Sequence, residues 1–388
     1  MRVGMFLPAG GWPGRDHGAT LRAAVDAAVA AEEAGFDDVW VAEHHFMTYG
    51  LCPSAVTLAG HLLGATRRVT VGTAVSVLPT AHPVALAEQA LLLDQVSGGR
   101  FRLGVGRGGP WVDLEVFGTG AARHDDQGYT EALDLLLSML DGPSVSADGA
   151  HFRFRRVRVT PAPRPGARHG GVAPVLAATS GSGIAAAAER GLPMLLGMHA
   201  DDAEKARFVA RYAELAGDPP AYRAVAPVPA AGGHTAAGAD PAAGTVLAPG
   251  RPGHAGAGTG NVPARVGHIA AGITHVEDTT GRARAVVRDA LPRWLEPGLA
   301  GYVRLDGVPR TPRNAREYTE LLCDLHPVGD ADHAVARLTA SAASTGVDHV
   351  MLLTDCTGDP ARTRETIARL GAEVLPRLPG RALAPPQV

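Results

Sequence analysis

The chain has 388 residues, 46% of them hydrophobic and 19% charged, and carries a formal net charge of −3 at pH 7. This length is enough for one large α/β barrel or two smaller domains. The small negative charge gives no reason to expect a nucleic acid or an anionic membrane as a partner. No apolar run approaches the ~18 residues of a membrane span, and the N-terminal run is too short for a signal peptide.

The cysteines indicate the redox environment of the protein, and the chain has a single lysine. Cys52, Cys323 and Cys356 are scattered without the spacing of a zinc site or a disulfide framework, which fits a reducing cytosol. We therefore expect a cytoplasmic protein. Lys205 is the only lysine, so every other basic side chain apart from histidine is an arginine.

Short apolar runs alternate with longer segments of helical pattern along most of the chain. The predicted strands are Val3–Leu7, Asp38–Ala42, Val69–Leu78, Phe101–Val105, Val175–Ala178, Met194–Met198, Val266–Val276 and His349–Leu353. The predicted helices are Thr20–Glu33, Ser54–Thr66, Pro83–Val96, Asp125–Leu140, Gly183–Glu189, Asp201–Leu215, Arg282–Trp294, Asp332–Ser344 and Pro360–Leu375. This alternation predicts a single (β/α)8 TIM-barrel domain of the α/β class, over residues 1–388.

Three segments depart from the alternation. Val145–Val159 alternates around Asp148-Gly149, which is a two-residue hairpin signal, so we expect a β-hairpin excursion from the barrel. Residues 217–264 are dominated by Ala, Gly and Pro and cannot bury enough surface to offset ordering entropy, which predicts a disordered, flexible insertion. We also expect a loop from the helix ending at Trp294 to about Leu325.

Polar residues follow the apolar runs where several predicted strands end. Glu43 and His44 follow the second strand, and Gly106 and Arg107 follow the fourth. In parallel α/β proteins the carboxyl ends of the strands meet at one rim, which carries the functional site. The sequence therefore predicts a site at this rim.

His44 and His45 are adjacent at a strand end, so their side chains point to opposite sides. They cannot jointly hold one metal ion without distortion, and we predict no metal site. One ring can face the barrel mouth, where a histidine is suited to move a proton near neutral pH. The alternative is that both are structural histidines.

The run Gly104-Val105-Gly106-Arg107-Gly108-Gly109 formally fits the dinucleotide fingerprint, with acids about 20 residues on at Asp125 and Asp126. Pro110-Trp111 interrupts the helix that should follow, and a lone glycine fingerprint is a weak signal. We expect instead that the glycines let a flat ring approach the backbone while the arginine binds a phosphate.

A second phosphate element is predicted at Thr179-Ser180-Gly181-Ser182-Gly183. These residues open a helix, whose first N–H groups are free, and two of them carry hydroxyls. The pattern is not GxSxG, so it does not indicate a hydrolase.

Several collinear motifs resemble the bacterial luciferase-like flavin-dependent monooxygenases, with the greatest similarity to the luciferase α subunit. The similarity is dense from Met1 to about Gly120, returns at Ala188–Met194 and thins after Gly217. The motifs that carry it are Glu43-His44-His45-Phe46, His61–Thr66, Leu78–Pro83, Leu92-Leu93-Asp94-Gln95 and Val116–Thr119. They indicate a shared fold more specifically than a shared substrate.

The resemblance implies roles for individual residues. The position of His44 acts in the family as catalytic base, and that of His45 is needed for activity through structural or inter-subunit contacts, so we include both among the catalytic residues. Ala74-Val75 matches a non-proline cis peptide beneath the isoalloxazine ring. Phosphate binding carries over to Arg107, Ser180 and Ser182, with Gly181 between the two serines. Thr179 stands where the luciferase has a glutamate, and Gly183 where it has a threonine.

Other positions depart from the luciferase pattern. Gly106 replaces a reactive cysteine at the flavin face, which we expect to open space there. Pro110 and Met198 replace aromatic residues, while Asp113 is a retained acid that we include among the catalytic residues. Family members use a mobile lid at residues 298–325, where this chain keeps Arg310, Arg313 and Asn314. These changes predict a different substrate on a shared mechanism.

The resemblance implies a two-component monooxygenase. Reduced FMN would come from a separate flavin reductase and react with O2 to form a C4a-(hydro)peroxyflavin, which would oxygenate a small organic substrate such as an aldehyde or a secondary metabolite. Two alternatives are an F420-dependent oxidoreductase and a non-catalytic flavin-binding subunit. The family also implies a dimer through the segments Ser54–Thr66 and Pro83–Val96, either a homodimer or a heterodimer with a paralogue.

Overall fold

Parallel strands form the central sheet of the protein, as seen in a computed structural model that describes residues 1–118, 124–164, 168–172, 174–217, 267–303 and 314–381. The strands of the main sheet are β1 (Arg2–Leu7), β2 (Asp38–Val41), β3 (Thr70–Thr73), β4 (Ser76–Val77), β5 (Phe101–Arg102), β6 (Gly104–Gly106), β9 (Val175–Ala177), β10 (Met194–Leu196), β11 (Ile269–Ile273) and β14 (His349–Leu353). The remaining strands are β7 (Ser144–Asp148), β8 (Arg153–Arg158), β12 (His275–Val276) and β13 (Val328–Gly329).

The main sheet closes on itself. Strands β3 and β4 are two parts of one strand separated by Ala74 and Val75, and β5 and β6 are separated only by Leu103. Since β3 pairs with β5 and β4 pairs with β6, the two ends of the sheet order are joined. The described strands therefore make a ring of eight positions, and the predicted (β/α)8 barrel is confirmed.

Helices cover the outside of the ring. Those described are α1 (His17–Glu33), α2 (Ala55–Ala65), α3 (Pro83–Val96), α4 (Trp111–Val116), α5 (Asp126–Asp141), α6 (Gly181–Glu189), α7 (Asp202–Ala216), α8 (Thr280–Gly301), α9 (Ala315–Leu325), α10 (Ala331–Thr345) and α11 (Pro360–Arg369). Side chains alternate along the strands, so that Phe6 and Trp40 belong to the cluster inside the barrel while Met5 and Val39 pack against helices.

The amino end of the barrel is closed by a buried carboxylate. Asp38 is fully buried and contacts Arg2 at 3.0 Å and His349 at 2.9 Å, while the indole N–H of Trp40 donates to it at 2.6 Å. Burial alone would raise the pKa of Asp38, but His349 and Arg2 lower it to about 2. The charge is therefore paired as a buried charge must be.

The predicted hairpin is confirmed, but its turn is longer than predicted. Asp148 pairs with Arg153, so the turn contains residues 149–152 rather than the two residues Asp148-Gly149. The carboxylate of Glu131 on α5 accepts hydrogen bonds from the N–H groups of His151 and Phe152, and the Phe152 ring is buried. Tertiary anchoring of this ring overrides the local turn preference.

The prediction of a loop from Trp294 to Leu325 is wrong at both ends. Helix α8 continues to Gly301 despite Pro297, because Trp294, Leu295 and Gly298 remain buried. Residues 315–325 form α9, whose N-cap is Asn314; its side chain accepts from two backbone N–H groups. Arg310 and Arg313 and most of the insertion at 217–264 lie outside the described residues.

The only lysine has a structural position. Lys205 is 3% exposed, and its Nζ lies 3.8 Å from an oxygen of Asp202. That carboxylate also accepts hydrogen bonds from Arg337 and Ser341, so it joins α7 to α10. Burial lowers the pKa of Lys205, which fits a side chain held inside the helix layer.

One arginine fixes the segment after the hairpin to the end of α3. Arg164 contacts the two carboxylate oxygens of the fully buried Asp94 at 2.8 and 2.9 Å. Its guanidinium lies between two glycines, since a Cβ atom at Gly99 would be 2.9 Å from it and one at Gly171 would be 2.5 Å from it. The neighbouring Gln95 donates to the carbonyl of Ala162 at 2.7 Å, so this part of the Leu92–Gln95 motif is structural.

We predict that Arg164→Met lowers the free energy of unfolding by about 3 kcal/mol, because it leaves the Asp94 carboxylate buried without its partner. Denaturant unfolding followed by circular dichroism measures the change. The control is Arg153→Met, which breaks an Arg–Asp pair whose side chains are 77% and 87% exposed and should cost less than about 1 kcal/mol. Equal losses in the two variants would contradict this role for Arg164.

Candidate functional site

A cavity of about 160 Å³ lies at the carboxyl ends of the barrel strands. Its lining is mostly apolar and aromatic, and includes Phe6, Tyr49, Val75, Trp294 and Tyr302. Three ionisable residues also reach it, namely Glu43, His44 and Asp113. A mostly apolar cavity with a few polar groups is typical of a site that binds an organic ligand.

His44 lines this cavity at the end of β2. Its Nδ1 atom is buried without a hydrogen-bond partner and faces the backbone of Gly50. Its ring meets the ring of Tyr49 edge to face at 5.1 Å. Burial, with a smaller contribution from His45, lowers the pKa of His44 to about 4, so the imidazole is neutral at pH 7 and can accept a proton.

As predicted, the side chain of His45 points away from the ring of His44, and it enters a buried polar cluster. Its Nε2 atom is 3.5 Å from Glu43 Oε1, and its ring packs against Phe117 at 4.8 Å. The Glu43 carboxylate is held by the N–H groups of Ala55 and Val77, each at 3.0 Å. His45 therefore lies outside the cavity lining, against Glu43 and Phe117.

Asp113 supplies the third ionisable group. It lies on α4, is 3% exposed, and its Oδ1 atom has no hydrogen-bond partner. Burial, together with the nearby Glu43, raises the pKa of Asp113 to about 6, although His45 opposes the shift. A carboxyl group that titrates near neutral pH beside a cavity is a candidate for proton transfer.

The strand break at Ala74-Val75 forms one wall of the cavity. The peptide bond between these residues is cis. Val75 also fills the space next to Gly106, since a Cβ atom there would be 2.5 Å from Val75 Cγ2. The expectation that Gly106 opens space at this face is therefore wrong: the valine methyl occupies it. Gly108 has φ +71°, and a Cβ there would lie 2.6 Å from Val77.

Arg107 follows β6 and turns toward α5. Its Nη1 donates to Asp126 Oδ1 at 2.6 Å, and its guanidinium carbon lies 4.7 Å from the centre of the Tyr129 ring. The side chain is 28% exposed. The arginine is therefore at the rim, with one exposed carboxylate as its partner.

Thr179–Gly183 form the connection after β9 and the start of α6. Strand β9 pairs with β6, so these residues follow at the same rim as Arg107. Ser180 is the N-cap of α6, its hydroxyl accepts from the N–H of Gly183 at 3.2 Å, and Ser182 Oγ is 3.2 Å away. Both serines are exposed, so this helix start can receive an anion.

The sequence did not predict the aromatic wall. The ring of Trp294 stacks on Tyr49 at 4.8 Å and on Trp12 at 6.0 Å. Tyr302 lies beside the loop after β6, where a Cβ atom at Gly109 would be 2.9 Å from its hydroxyl. These residues come from parts of the chain almost 300 positions apart, and only the small residues that face them hint at the contact.

The described residues contain neither a metal-binding cluster nor a membrane-spanning helix. No group of three or more His, Cys, Asp or Glu side chains there is arranged to hold a metal ion. No helix in the same ranges has the length and apolar character needed to cross a membrane.

Comparison with known proteins identifies the class. The family model described as luciferase-like monooxygenase matches residues 1–349, and the chain belongs to this family. The alkanal monooxygenase alpha chain of the Kryptophanaron alfredi symbiont is 39% identical over 217 residues, which are 56% of this chain and 59% of that one. The chain thus matches a little over half the length of this relative, and the predicted resemblance is confirmed.

Solved structures share the fold at low sequence identity. The oxygenating constituent of 3,6-diketocamphane monooxygenase from Pseudomonas putida, in complex with FMN, has a TM-score of 0.70 and 19% identity, over 97% of this chain and 98% of that one. An F420-dependent secondary alcohol dehydrogenase has a TM-score of 0.68 and 17% identity, over 97% and 98% of the two chains. These similarities show that the chain shares the barrel fold of these two proteins.

We predict that Asp113→Asn stabilises the protein at high pH. The folded-state pKa of about 6 lies above the ordinary value, so the folded protein holds an extra proton between about pH 4 and 6 and loses stability as the pH rises through that window. The variant should gain on the order of 2 kcal/mol in unfolding free energy at pH 8 and much less at pH 4.5. Urea unfolding of both proteins at the two pH values measures this, and a gain independent of pH would contradict it.

Proposed function

We propose that this protein is a two-component monooxygenase that uses FMN reduced by a separate flavin reductase, together with O2, to oxygenate a small organic substrate. One observation carries the proposal. A phosphate-type donor set, at Arg107 and Ser180, lies at the same barrel rim as a cavity that is lined by the neutral His44. Both parts are needed to hold a flavin mononucleotide and to shield its ring from water.

The residues at the rim fit the phosphate of such a cofactor. Arg107 offers a planar fork of donors, and Ser180 and Ser182 offer hydroxyls beside the free N–H groups of α6. Thr179 and Gly183 flank them, and Gly181 leaves the backbone accessible. We assign these residues to phosphate binding.

The cavity fits the reacting end of the cofactor and the substrate. Ala74, Val75 and Gly108 line one wall, and the His44 ring and the Asp113 carboxyl group, whose buried Oδ1 atom has no hydrogen-bond partner, are polar groups that a ligand can approach. A reduced flavin, when bound, supplies the electrons that activate O2. The protein contributes orientation, exclusion of water and movement of a proton.

His44 is the group we assign to proton movement. Because its pKa is low, the protonated imidazolium form is not populated at pH 7. The ring therefore accepts a proton first and returns it later. Asp113 acts beside it as a second acid, whereas His45 orients this end of β2 through Glu43. The apolar, aromatic lining favours an aldehyde or another weakly polar secondary metabolite as substrate.

The subunit arrangement is also part of the proposal. A dimer through α2 and α3 is supported by Leu92 and Val96, which are 52% and 71% exposed one turn apart on α3. Small residues on α2 support it less, because Ala55 and Ala59 are fully buried within one chain. A copy of this chain or a paralogue can provide the second face.

The proposed oxygenation is tested with isotopically labelled O2. The purified protein is mixed with chemically reduced FMN, ¹⁸O₂ and a panel of aldehydes, ketones and aromatic compounds, and products are analysed by mass spectrometry. We expect one ¹⁸O atom in an organic product and the other in water. Release of all the oxygen as hydrogen peroxide for every compound would contradict the proposal. Binding and turnover of F420 in place of FMN would favour the alternative suggested by the similar dehydrogenase fold.

We predict that His44→Ala lowers kcat by about 10²- to 10⁴-fold, because it removes the proton acceptor. The dissociation constant for FMN should change little, since the ring does not reach the phosphate site. The control is His61→Ala on the exposed face of α2. If turnover is unchanged in His44→Ala, the alternative of a non-catalytic flavin-binding subunit is favoured.

A further inference from the structure

Arg107 already has an anionic partner in this structure. Its Nη1 donates to Oδ1 of Asp126 at 2.6 Å, while its guanidinium lies over the ring of Tyr129 at 4.7 Å. Asp126 is the acid that the sequence places about 20 residues after the glycine run. In the dinucleotide fingerprint an acid at this spacing would bind a ribose, whereas here it contacts Arg107. The proposed flavin site gives it no function either.

The two partners of Arg107 differ in how firmly they are held. Tyr129 is 4% exposed and packs in the core, so it is a fixed support. The Asp126 side chain is 77% exposed, and the cap of α5 is made by Asp125, whose carboxylate accepts from Gly128. Asp126 is therefore free to leave the arginine without breaking the helix start.

A carboxylate and a phosphate compete for the same donors. An arginine fork binds either group through its planar N–H groups, and a phosphate dianion carries more charge than a carboxylate. An exposed ion pair is weak because both ions are well hydrated when apart. A phosphate that reaches Arg107 can therefore displace Asp126, and the guanidinium keeps its contact with Tyr129 throughout.

We propose that Asp126 is an internal competitor for the cofactor phosphate. Its carboxylate occupies Arg107 in the free protein and is displaced when a phosphorylated flavin binds. This inference rests on the proposed function, because it assumes that Arg107 binds the flavin phosphate. The competition weakens the binding of every phosphorylated flavin, and a protein supplied by a separate reductase must exchange this cofactor at each turnover.

The test compares two flavins and two matched variants. Asp126→Asn keeps the size of the side chain and removes its charge. Asp134→Asn makes the same change two turns further along α5, where the carboxylate pairs with Arg190 at 2.7 Å at the far end of α6 from Ser180. Dissociation constants for FMN and for riboflavin, which lacks the phosphate, are measured by quenching of flavin fluorescence.

We predict that Asp126→Asn binds FMN about two- to fivefold more tightly, as expected from removal of an exposed ion pair. Riboflavin binding should stay unchanged in both variants, and Asp134→Asn should bind FMN as the parent protein does. In an Arg107→Gln background the gain from Asp126→Asn should disappear, because the contested group is gone. Circular dichroism confirms that each variant is folded.

The outcomes separate the inference from the proposed function. Equal or weaker FMN binding in Asp126→Asn overturns the inference while leaving the flavin site in place. A gain that also appears with riboflavin, or that persists in the Arg107→Gln background, overturns it as well. A parent protein that binds neither flavin overturns the proposed function and the inference together.

Discussion

One carboxylate holds together the elements that build the site. Glu43 accepts hydrogen bonds from Ala55 at the start of α2 and from Val77 in β4, and it also lies beside His45. Hydrogen bonds from N–H groups to a charged acceptor are among the stronger ones in proteins. Because these bonds connect the end of β2 to the interrupted third strand, the His44 ring and the wall at Val75 keep a common position.

Around this fixed point the protein keeps polar atoms that contribute nothing to its folding. His44 Nδ1 and Asp113 Oδ1 are buried without hydrogen-bond partners, and burial of such atoms costs free energy. Elsewhere buried charges are paired, as with Asp38 at the amino end and Asp94 under Arg164. His44 and Asp113 line the same cavity, which makes the carboxyl end the candidate place for a ligand.

The barrel was readable from the sequence because it depends on local patterns. Apolar runs of strand length and the helices between them recur in order, and each strand such as Val3–Leu7 or His349–Leu353 has its own signal. The histidine pair and the glycine run were readable for the same reason. Other features were not: Asn314 was interpreted as part of a lid although it caps α9, and the helix predicted to end at Trp294 continues to Gly301 because its later residues remain buried.

The site shows the same division. The positions of His44 and Arg107 follow from their strand ends, but the methyl group of Val75 beside Gly106 and the stack of Trp294 on Tyr49 depend on how distant segments meet. The partner of Arg107 is a further case, since only the approach of α5 to the end of β6 shows which acid it meets. Periodicity specifies which residues face inward, whereas tertiary packing decides what they touch.

The buried lysine has a practical consequence for experiments. Reagents that modify amines normally attach to many surface lysines at random, but here the only one, Lys205, is enclosed beside Asp202. Reagents directed at lysine side chains will therefore react with Lys205 only when the packing between α7 and α10 opens, so their rate of reaction reports how often that happens.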